Sequence, residues 1–487
     1  MSAHARTRIR VLAAALSIAA LAGCETAPPT KPAIDVPSGW RETATTASSL
    51  GERPWGELFR AAELDALIRE ALAANGDLRI AAERVELARA QFGIQRSALF
   101  PDLTGQFGVD RQRFPAGGAD ENVVTESALL GLALSPWEID LWGRVRAATE
   151  SARRQLLSSE EVRLAAQASI VAQVATLYVR LLAGDEQLVI ARDTAQTRRE
   201  SLRLIDARFR GGVASKLEVQ DATSLVAQAE QSIAELERIR SRSENALSVL
   251  VGRNPAPVGR ERSLREFALP DQLPAGMPSD LLLRRPDLRA AEQTLAAQDA
   301  SVDAARKAFF PVISITGLVG FASPALRDLF EGGRYAWQVS PAVTIPVFNA
   351  GRLQSNLEGA EASQRIAVEQ YKLAVRVAFR EVDDALADYR RYGEQRIALA
   401  AAVGANRERL RLSQLRYRGG VAAYFEVLDS SRQLFDSQLQ HVQALGAQYQ
   451  AIIELFRALG GGYEPQSTPA DLPATPTSPR RGSASAG

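Results

Sequence analysis

The run Arg208-Phe209-Arg210-Gly211-Gly212-Val213, followed by Glu218-Val219-Gln220-Asp221, returns later as Arg416-Tyr417-Arg418-Gly419-Gly420-Val421, followed by Glu426-Val427-Leu428-Asp429. The two runs lie 208 residues apart, and the same spacing relates Gly143-Arg144 to Gly351-Arg352 and Gly252 to Gly460. Upstream, a spacing of 210 relates Asp77-Leu78-Arg79 to Asp287-Leu288-Arg289 and Phe100-Pro101 to Phe310-Pro311. Near-constant spacing over most of a chain means two tandem copies of one unit. Each Gly-Gly interrupts one long helical pattern and precedes another, so the pairs mark two helix-hairpin tips, at residues 211–215 and 419–423.

On either side of the tips the helical pattern is long. From Gly143-Arg144 it runs almost unbroken to Phe209, about 65 residues that would extend roughly 100 Å. Leu202, Ile205 and Phe209 keep the 3-4 spacing of a packing seam up to the tip. Past the glycines, Ser215-Lys216-Leu217-Glu218 is a capping box that satisfies two orphan amides, and the pattern returns to about Val251. Copy two repeats this from Gly351 to Tyr417 and from Ala423 to Leu459, but Ala423 stands where Ser215 stands. Without a side-chain cap that helix start is held less firmly, by about 1 kcal/mol. Helices of this length need partners, and a coiled-coil-like bundle is expected.

Before each long hairpin the period changes from helical to two. In copy one, strands are expected at about 102–113 and 124–140. Leu103, Phe107 and Val109 share a face opposite Asp102, Thr104, Gln106 and Asp110, and Ala128, Leu130, Leu132 and Leu134 oppose Thr125, Ser127 and Ser135. In copy two they are expected at about 311–322 and 334–348, with Ile313, Ile315, Val319 and Phe321 on one side and Tyr335, Trp337, Val339, Val343 and Val347 continuing the pattern. These lengths suit tilted transmembrane strands, and the aromatics Phe114, Trp137, Tyr335, Trp337 and Phe348 stand near strand ends, as in an interfacial girdle. A half-buried sheet packed on the helices has the same alternation. Four strands cannot close a barrel, and an open edge in lipid leaves backbone groups unsatisfied at several kcal/mol each. Strands of this kind span a membrane only if several chains pool them.

The remaining segments are short. Arg6, Arg8 and Arg10 precede the apolar stretch Val11 to Ala20, and Leu21-Ala22-Gly23-Cys24 resembles a bacterial lipoprotein signal. Residues 1–23 are then a leader, and Cys24 becomes the lipidated first residue. Glu25, rather than aspartate, behind it resembles lipoproteins sorted onward to the outer membrane. No other apolar run reaches the ~18 residues of a membrane-spanning helix. Residues 24–54 read as a tether, 55–252 as repeat one, 253–279 as a Pro- and Gly-rich linker (Leu264, Phe267 and Leu269 can pack locally), 280–462 as repeat two and 463–487 as a disordered tail. Removing the leader takes away three arginines and no acid, lowering the formal charge from +1 to −2, so nothing in the charge balance suggests nucleic-acid binding. Beyond the leader only Cys24 and His441 offer thiol or imidazole chemistry, and there is no phosphate loop or catalytic carboxylate pair, so neither an enzyme nor a cofactor is expected.

Several motifs resemble the outer-membrane efflux protein family, the TolC/OprM-like ducts, in its NodT-type lipoprotein branch. They include Leu282-Leu283-Arg284-Arg285-Pro286-Asp287-Leu288-Arg289-Ala290-Ala291-Glu292, Ala308-Phe309-Phe310-Pro311, Pro346-Val347-Phe348-Asn349-Ala350-Gly351-Arg352, Trp137-Glu138-Ile139-Asp140-Leu141-Trp142-Gly143-Arg144 and both Arg-x-x-x-Gly-Val tips. The resemblance covers about residues 40–462 and includes the duplication. It implies a mainly α fold with a transmembrane β part, in which three chains pool twelve strands into one barrel continued by a twelve-helix α-barrel. The implied role is a passive duct at the outer membrane, fed by an inner-membrane pump of the RND type through a periplasmic adaptor (membrane fusion protein). A periplasmic coiled-coil structural or adaptor lipoprotein without a pore is the alternative.

By the same resemblance, Phe425, Glu426, Asp429 and Arg432 lie at a periplasmic aperture. Phe425, Asp429 and Arg432 stand at i, i+4 and i+7 and share a helix face. Facing an axis, three Asp429 would make an acidic ring that raises their apparent pKa and favours cations, and three Phe425 an apolar plug. Otherwise Asp429 and Arg432 are an exposed i, i+3 pair worth a few tenths of a kcal/mol. Arg210, Gly211, Gly212, Val213, Arg418, Gly419, Gly420 and Val421 would form the adaptor-docking tips. Glu218 and Asp221 are expected to be a capping glutamate and a solvated acid.

Overall fold

The computed structural model describes residues 32–42, 48–56, 61–115, 122–260, 263–266 and 273–463. Cys24 and its leader, Phe59, Phe267, Leu269, the side chain of Phe114 and the tail from residue 464 lie outside the described residues. In chain order the longer elements are α1 (Ala62–Ala74), α2 (Gly76–Ser97), β1 (Leu103–Pro115), β2 (Asn122–Glu138), α3 (Arg144–Arg210), α4 (Lys216–Leu250), α5 (Leu281–Arg284), α6 (Pro286–Lys307), β3 (Val312–Ser323), β4 (Tyr335–Thr344), α7 (Arg352–Arg418) and α8 (Tyr424–Ala458). The duplication is visible in the lengths: α3 and α7 have 67 residues each, and α4 and α8 have 35 each. It is visible in the backbone too. Gly143 and Gly351 have φ of 78° and 84°, Gly212 and Gly420 both 75°, and Gly252 and Gly460 both 82°.

The chain divides into two compact units. One comprises Ala88–Leu156 and Gln293–Gln370, and its centre is a four-stranded antiparallel sheet in the order β1-β2-β3-β4. Opposed residues share a face, so the register tests the alternation. Phe107 faces Leu130, which faces Phe321, which faces Tyr335; Leu132 faces Val319, which faces Trp337. The apolar residues of all four strands thus form one continuous face. Phe107, Leu132, Trp337 and Val343 on that face are exposed to solvent in the single chain. The other face carries Gln106, Gly131, Gly320 and Ala336 in the same register. An irregularity between Leu134 and Trp137 inserts one extra residue in β2 and brings Trp137 opposite Ile315 on the apolar face.

Strand limits differ from expectation chiefly in β4, which stops at Thr344 rather than 348. Pro346 has no N–H to continue a ladder, and Val347 and Phe348 beyond it are 91% and 89% exposed. Past β2 the chain turns back on β3: the N–H of Ile139 donates to the Ile313 carbonyl (2.8 Å), and Trp142 Nε1 to that of Pro311 (2.7 Å). Trp142 also stacks on Phe310 with ring centres 5.3 Å apart.

The described residues of the second unit, which spans Asp35–Leu87, Leu157–Glu292 and Tyr371–Gly487, are mainly helical. The Arg285 side chain is only 5% exposed and ties three elements together. It bonds Asp287 at the start of α6 (2.7 Å), Glu381 of α7 (2.8 Å) and the Ala458 carbonyl closing α8 (3.1 Å). Removing its acidic partners would leave the buried Arg285 guanidinium uncompensated, so this motif is structural. The linker between repeats is also fastened: Val258, Leu264, Leu273 and Ala275 are buried, and Arg260 pairs with Asp185 of α3 and Glu244 of α4.

Two expectations need correction. The stretch read as a tether is partly packed, because Trp40 and Leu50 are buried, Trp40 Nε1 donates to the Gly276 carbonyl (3.0 Å) and Ser49 bridges Ala275. The Pro- and Thr-rich composition concealed these two anchors. Also, α3 does contain a stretch long and apolar enough to cross a membrane, with mean hydropathy 1.3. Its Ile170, Val171, Val174, Tyr178, Val179 and Leu181 are buried against protein, which accounts for their apolarity.

Candidate functional site

Each hairpin tip is built by its own glycines. In copy one the N–H of Val213 donates to the Arg208 carbonyl (2.9 Å) and that of Gly212 to Phe209 (2.9 Å); in copy two Val421 donates to Arg416 (3.1 Å) and Gly420 to Tyr417 (3.0 Å). This is the Schellman closure, which requires a left-handed residue where Gly212 and Gly420 stand. Past the turn the copies differ as expected. Ser215 Oγ accepts from the Glu218 N–H (3.2 Å) and Glu218 Oε2 from the Ser215 N–H (2.7 Å), while Ala423 caps nothing. Side chains of Val213, Leu217, Val421 and Phe425 stand about 70% exposed around the two turns. Arg210 reaches back to Asp206 (2.5 Å).

Beneath the tips the two hairpins of one chain share an apolar cluster of Ile205, Ala222, Leu225, Tyr424, Val427 and Leu428. Tyr424 is the hub. Its hydroxyl is 2.9 Å from Ser201 Oγ, its ring lies 5.1 Å from that of Tyr417, and burial pushes its hydroxyl pKa up. Tyr417 carries the guanidinium of Arg208 on its face at 4.8 Å and directs its own hydroxyl at Glu218 Oε1 (3.5 Å). Its pKa too is raised, by burial and then by the Glu218 charge. Glu218 therefore caps α4 and holds the end of α7.

One turn deeper, Arg198 of α3 is 4% exposed and touches two other helices. Nη1 donates to the Leu225 carbonyl of α4 (2.9 Å), and the guanidinium lies 5.0 Å from the Phe435 ring centre on α8. Burial lowers its pKa against the pull of Asp436. A cavity of about 40 Å³, lined among others by Arg198, Ser201, Gln414 and Tyr424, lies beside it.

On α8, Phe425 and Arg432 are exposed and Asp429 is half-buried, whereas Tyr424, Val427 and Leu428 are buried. Asp429, however, is not held by Arg432. Its Oδ2 accepts from Arg409 of α7 (2.6 Å) and from Gln433 (3.0 Å), and Glu426 pairs with Arg416 (3.3 Å). The sequence reading missed Arg409. The signal was present, because antiparallel hairpin partners stand equally far from the tip: Arg409 and Asp429 each lie ten residues from Gly419. Arg199–Glu230 (2.7 Å) and Arg192–Glu237 (2.7 Å) are the cross-hairpin pairs of copy one, each centred on the turn between Ala214 and Ser215. No group of three or more His, Cys, Asp or Glu side chains able to hold a metal occurs among the described residues.

A family model described as "Outer membrane efflux protein" matches residues 67–253 and 277–461, once on each repeat. The probable efflux pump outer membrane protein TtgC of Pseudomonas putida is 35% identical over 480 residues, 96% of this chain and 99% of that one. Outer membrane protein OprJ of Pseudomonas aeruginosa is 38% identical over 454 residues, 91% of this chain and 94% of its own. Among solved structures, the open state of the Neisseria gonorrhoeae MtrE outer membrane channel superposes with a TM-score of 0.82 at 32% identity, covering 90% of this chain and 98% of that one.

Proposed function

The chain belongs to the outer membrane efflux protein family, and on that premise we propose that it is the outer-membrane duct of a tripartite efflux system, assembled from three copies. The observation that carries this reading is the sheet. It has an apolar face exposed along all four strands and two edges, β1 and β4, with no strand partner among the described residues. In lipid such edges must be paired, and copies of the same sheet pair them without new sequence. Ile80, Leu87 and Ile94, exposed at heptad spacing on α2, likewise offer a seam to further helices.

Cargo handed over by an inner-membrane RND-type pump and a periplasmic adaptor passes through the pooled barrel without chemistry. The adaptor docks on the exposed tips, Arg210 to Val213 and Arg418 to Val421, and Cys24 carries the lipid that anchors the chain. The aperture is formed by Phe425, Glu426, Asp429 and Arg432, with Arg409 as the counter-charge of Asp429. Domain limits at 55–252 and 280–462 follow the two repeats, with 253–279 between them. The test is liposome swelling with neutral sugars of increasing size, alongside the protein's mass in detergent. Size-limited entry by a species three times the chain mass is expected; a monomer that admits no sugar refutes the reading.

A further inference from the structure

The internal repeat specifies how one copy meets the next. Within the chain, the end of β2 and the turn after it seat on the start of β3. Copy two ends in the corresponding segment, Ile345 to Gly351, with nothing described against Val347 and Phe348, and copy one begins with the corresponding receiver, Ala98 to Pro101. Trp137 and Ile139 correspond to Ile345 and Val347 at the 208 spacing, while Ile313, Ile315 and Gly317 correspond to Leu103, Gly105 and Phe107 at 210. The extra residue of β2 lies between Leu134 and Trp137, so Leu134 corresponds to Val343. Leu134 faces Gly317 and Trp137 faces Ile315 within the chain.

We propose that β4 of one copy closes on β1 of the next with Val343 opposite Phe107 and Ile345 opposite Gly105, and that Phe348 fills the cavity beside Phe100 and Pro101 of that copy. This rests on the trimeric duct reading and gives it a seam. The transferred pairs each join two residues of the apolar face, and a slip of one residue would set Val343 against Gln106 of the polar face. By the same transfer, the N–H of Val347 donates to the Leu103 carbonyl of the next copy, as Ile139 does to Ile313.

The seat for Phe348 is where the two copies of the repeat diverge. Trp142 covers Phe310 and Pro311 inside the chain, but its counterpart is Ala350, too small to cover Phe100, which is 59% exposed. An open cavity of about 570 Å³ lies there, lined by Phe100, Pro101, Pro136, Trp137 and Arg144. Trp137 Nε1 is buried without a hydrogen-bond partner. Phe348, the large apolar side chain two residues before Ala350, is 89% exposed and stands where copy one has Asp140.

Paired cysteines test the register. In one chain β1 and β4 are three strand spacings apart, roughly 14 Å, beyond the reach of a disulfide, so any bond joins two copies. A Cβ at Gly105 meets nothing within 4 Å, so Gly105→Cys is tolerated. Under copper–phenanthroline, the full-length Gly105→Cys/Ile345→Cys protein is expected to convert from monomer to covalent trimer on non-reducing gels. Each single variant, which retains the native Cys24, should not convert. If the protein conducts but only Gly105→Cys/Thr344→Cys or Gly105→Cys/Pro346→Cys links, the register is wrong and the duct reading survives. If the wild type neither conducts nor forms trimers, the duct reading itself fails. Phe348→Asp should lower the trimer's dissociation temperature while Phe348→Leu preserves it; equal temperatures for wild type and both variants overturn the seat.

Discussion

At Gly252 the backbone φ is +82° and a Cβ would lie 2.4 Å from the Ala74 carbonyl oxygen, whereas Gly212, at φ +75°, has open space around it. The two glycines look alike in sequence, and geometry separates them. Gly212→Ala should cost about the 1–2 kcal/mol of placing a side chain in the left-handed region. Gly252→Ala adds a steric overlap with backbone and should cost distinctly more, read as a larger fall in melting temperature of the detergent-purified protein. The Asp429 pairing is also a residue-scale matter. Arg409 neutralises the charge that Asp429 would otherwise present, so Arg409→Gln should increase cation preference, measured as a shift in reversal potential under a salt gradient. An unchanged reversal potential would place Asp429 away from the conducting path. Gly-Gly and the capping box could be read from the chain because they act locally. Arg409 could not be found without first folding the hairpin about its tip.

Helix starts at the tip make the two hairpins unequal. Ser215 and Glu218 close α4 reciprocally, and Glu218 also receives the Tyr417 hydroxyl, while α8 begins at Ala423 uncapped. If the aperture opens by movement of the α8 start, Ala423→Ser should add about 1 kcal/mol to its closed geometry and reduce open probability roughly fivefold in single-channel records. Identical open probability would remove α8 from the opening step. Strand limits were less legible than helix limits. Helices end at glycines that the sequence displays, but β4 ends at Thr344 because Pro346 cannot donate, although apolar alternation continues through Val347. The extra residue in β2 between Leu134 and Trp137 was likewise invisible to a period of two, since it only appears against the register of β3.

At the scale of the whole molecule, one described imidazole contributes to the response to acid. His441 of α8 has its pKa lowered by burial, then by Arg265 and Arg396. A depressed folded value means the neutral ring stabilises the fold above the unfolded value near 6.5, and that stability is lost as the pH falls toward the folded value. Lowering the pH from 7.5 to 5.5 should therefore lower the melting temperature of the wild type more than that of His441→Gln. At this scale the duplication was the most legible feature, because 67- and 35-residue helices recur at one spacing. The need for further copies followed from counting strands. The central claim is that this four-stranded sheet becomes a pore only when copies pool their strands, and single-channel recording in planar bilayers tests it most directly. Purified full-length protein is predicted to insert as units with discrete, uniform conductance steps. Stable membrane association with no conductance at any protein concentration would contradict it.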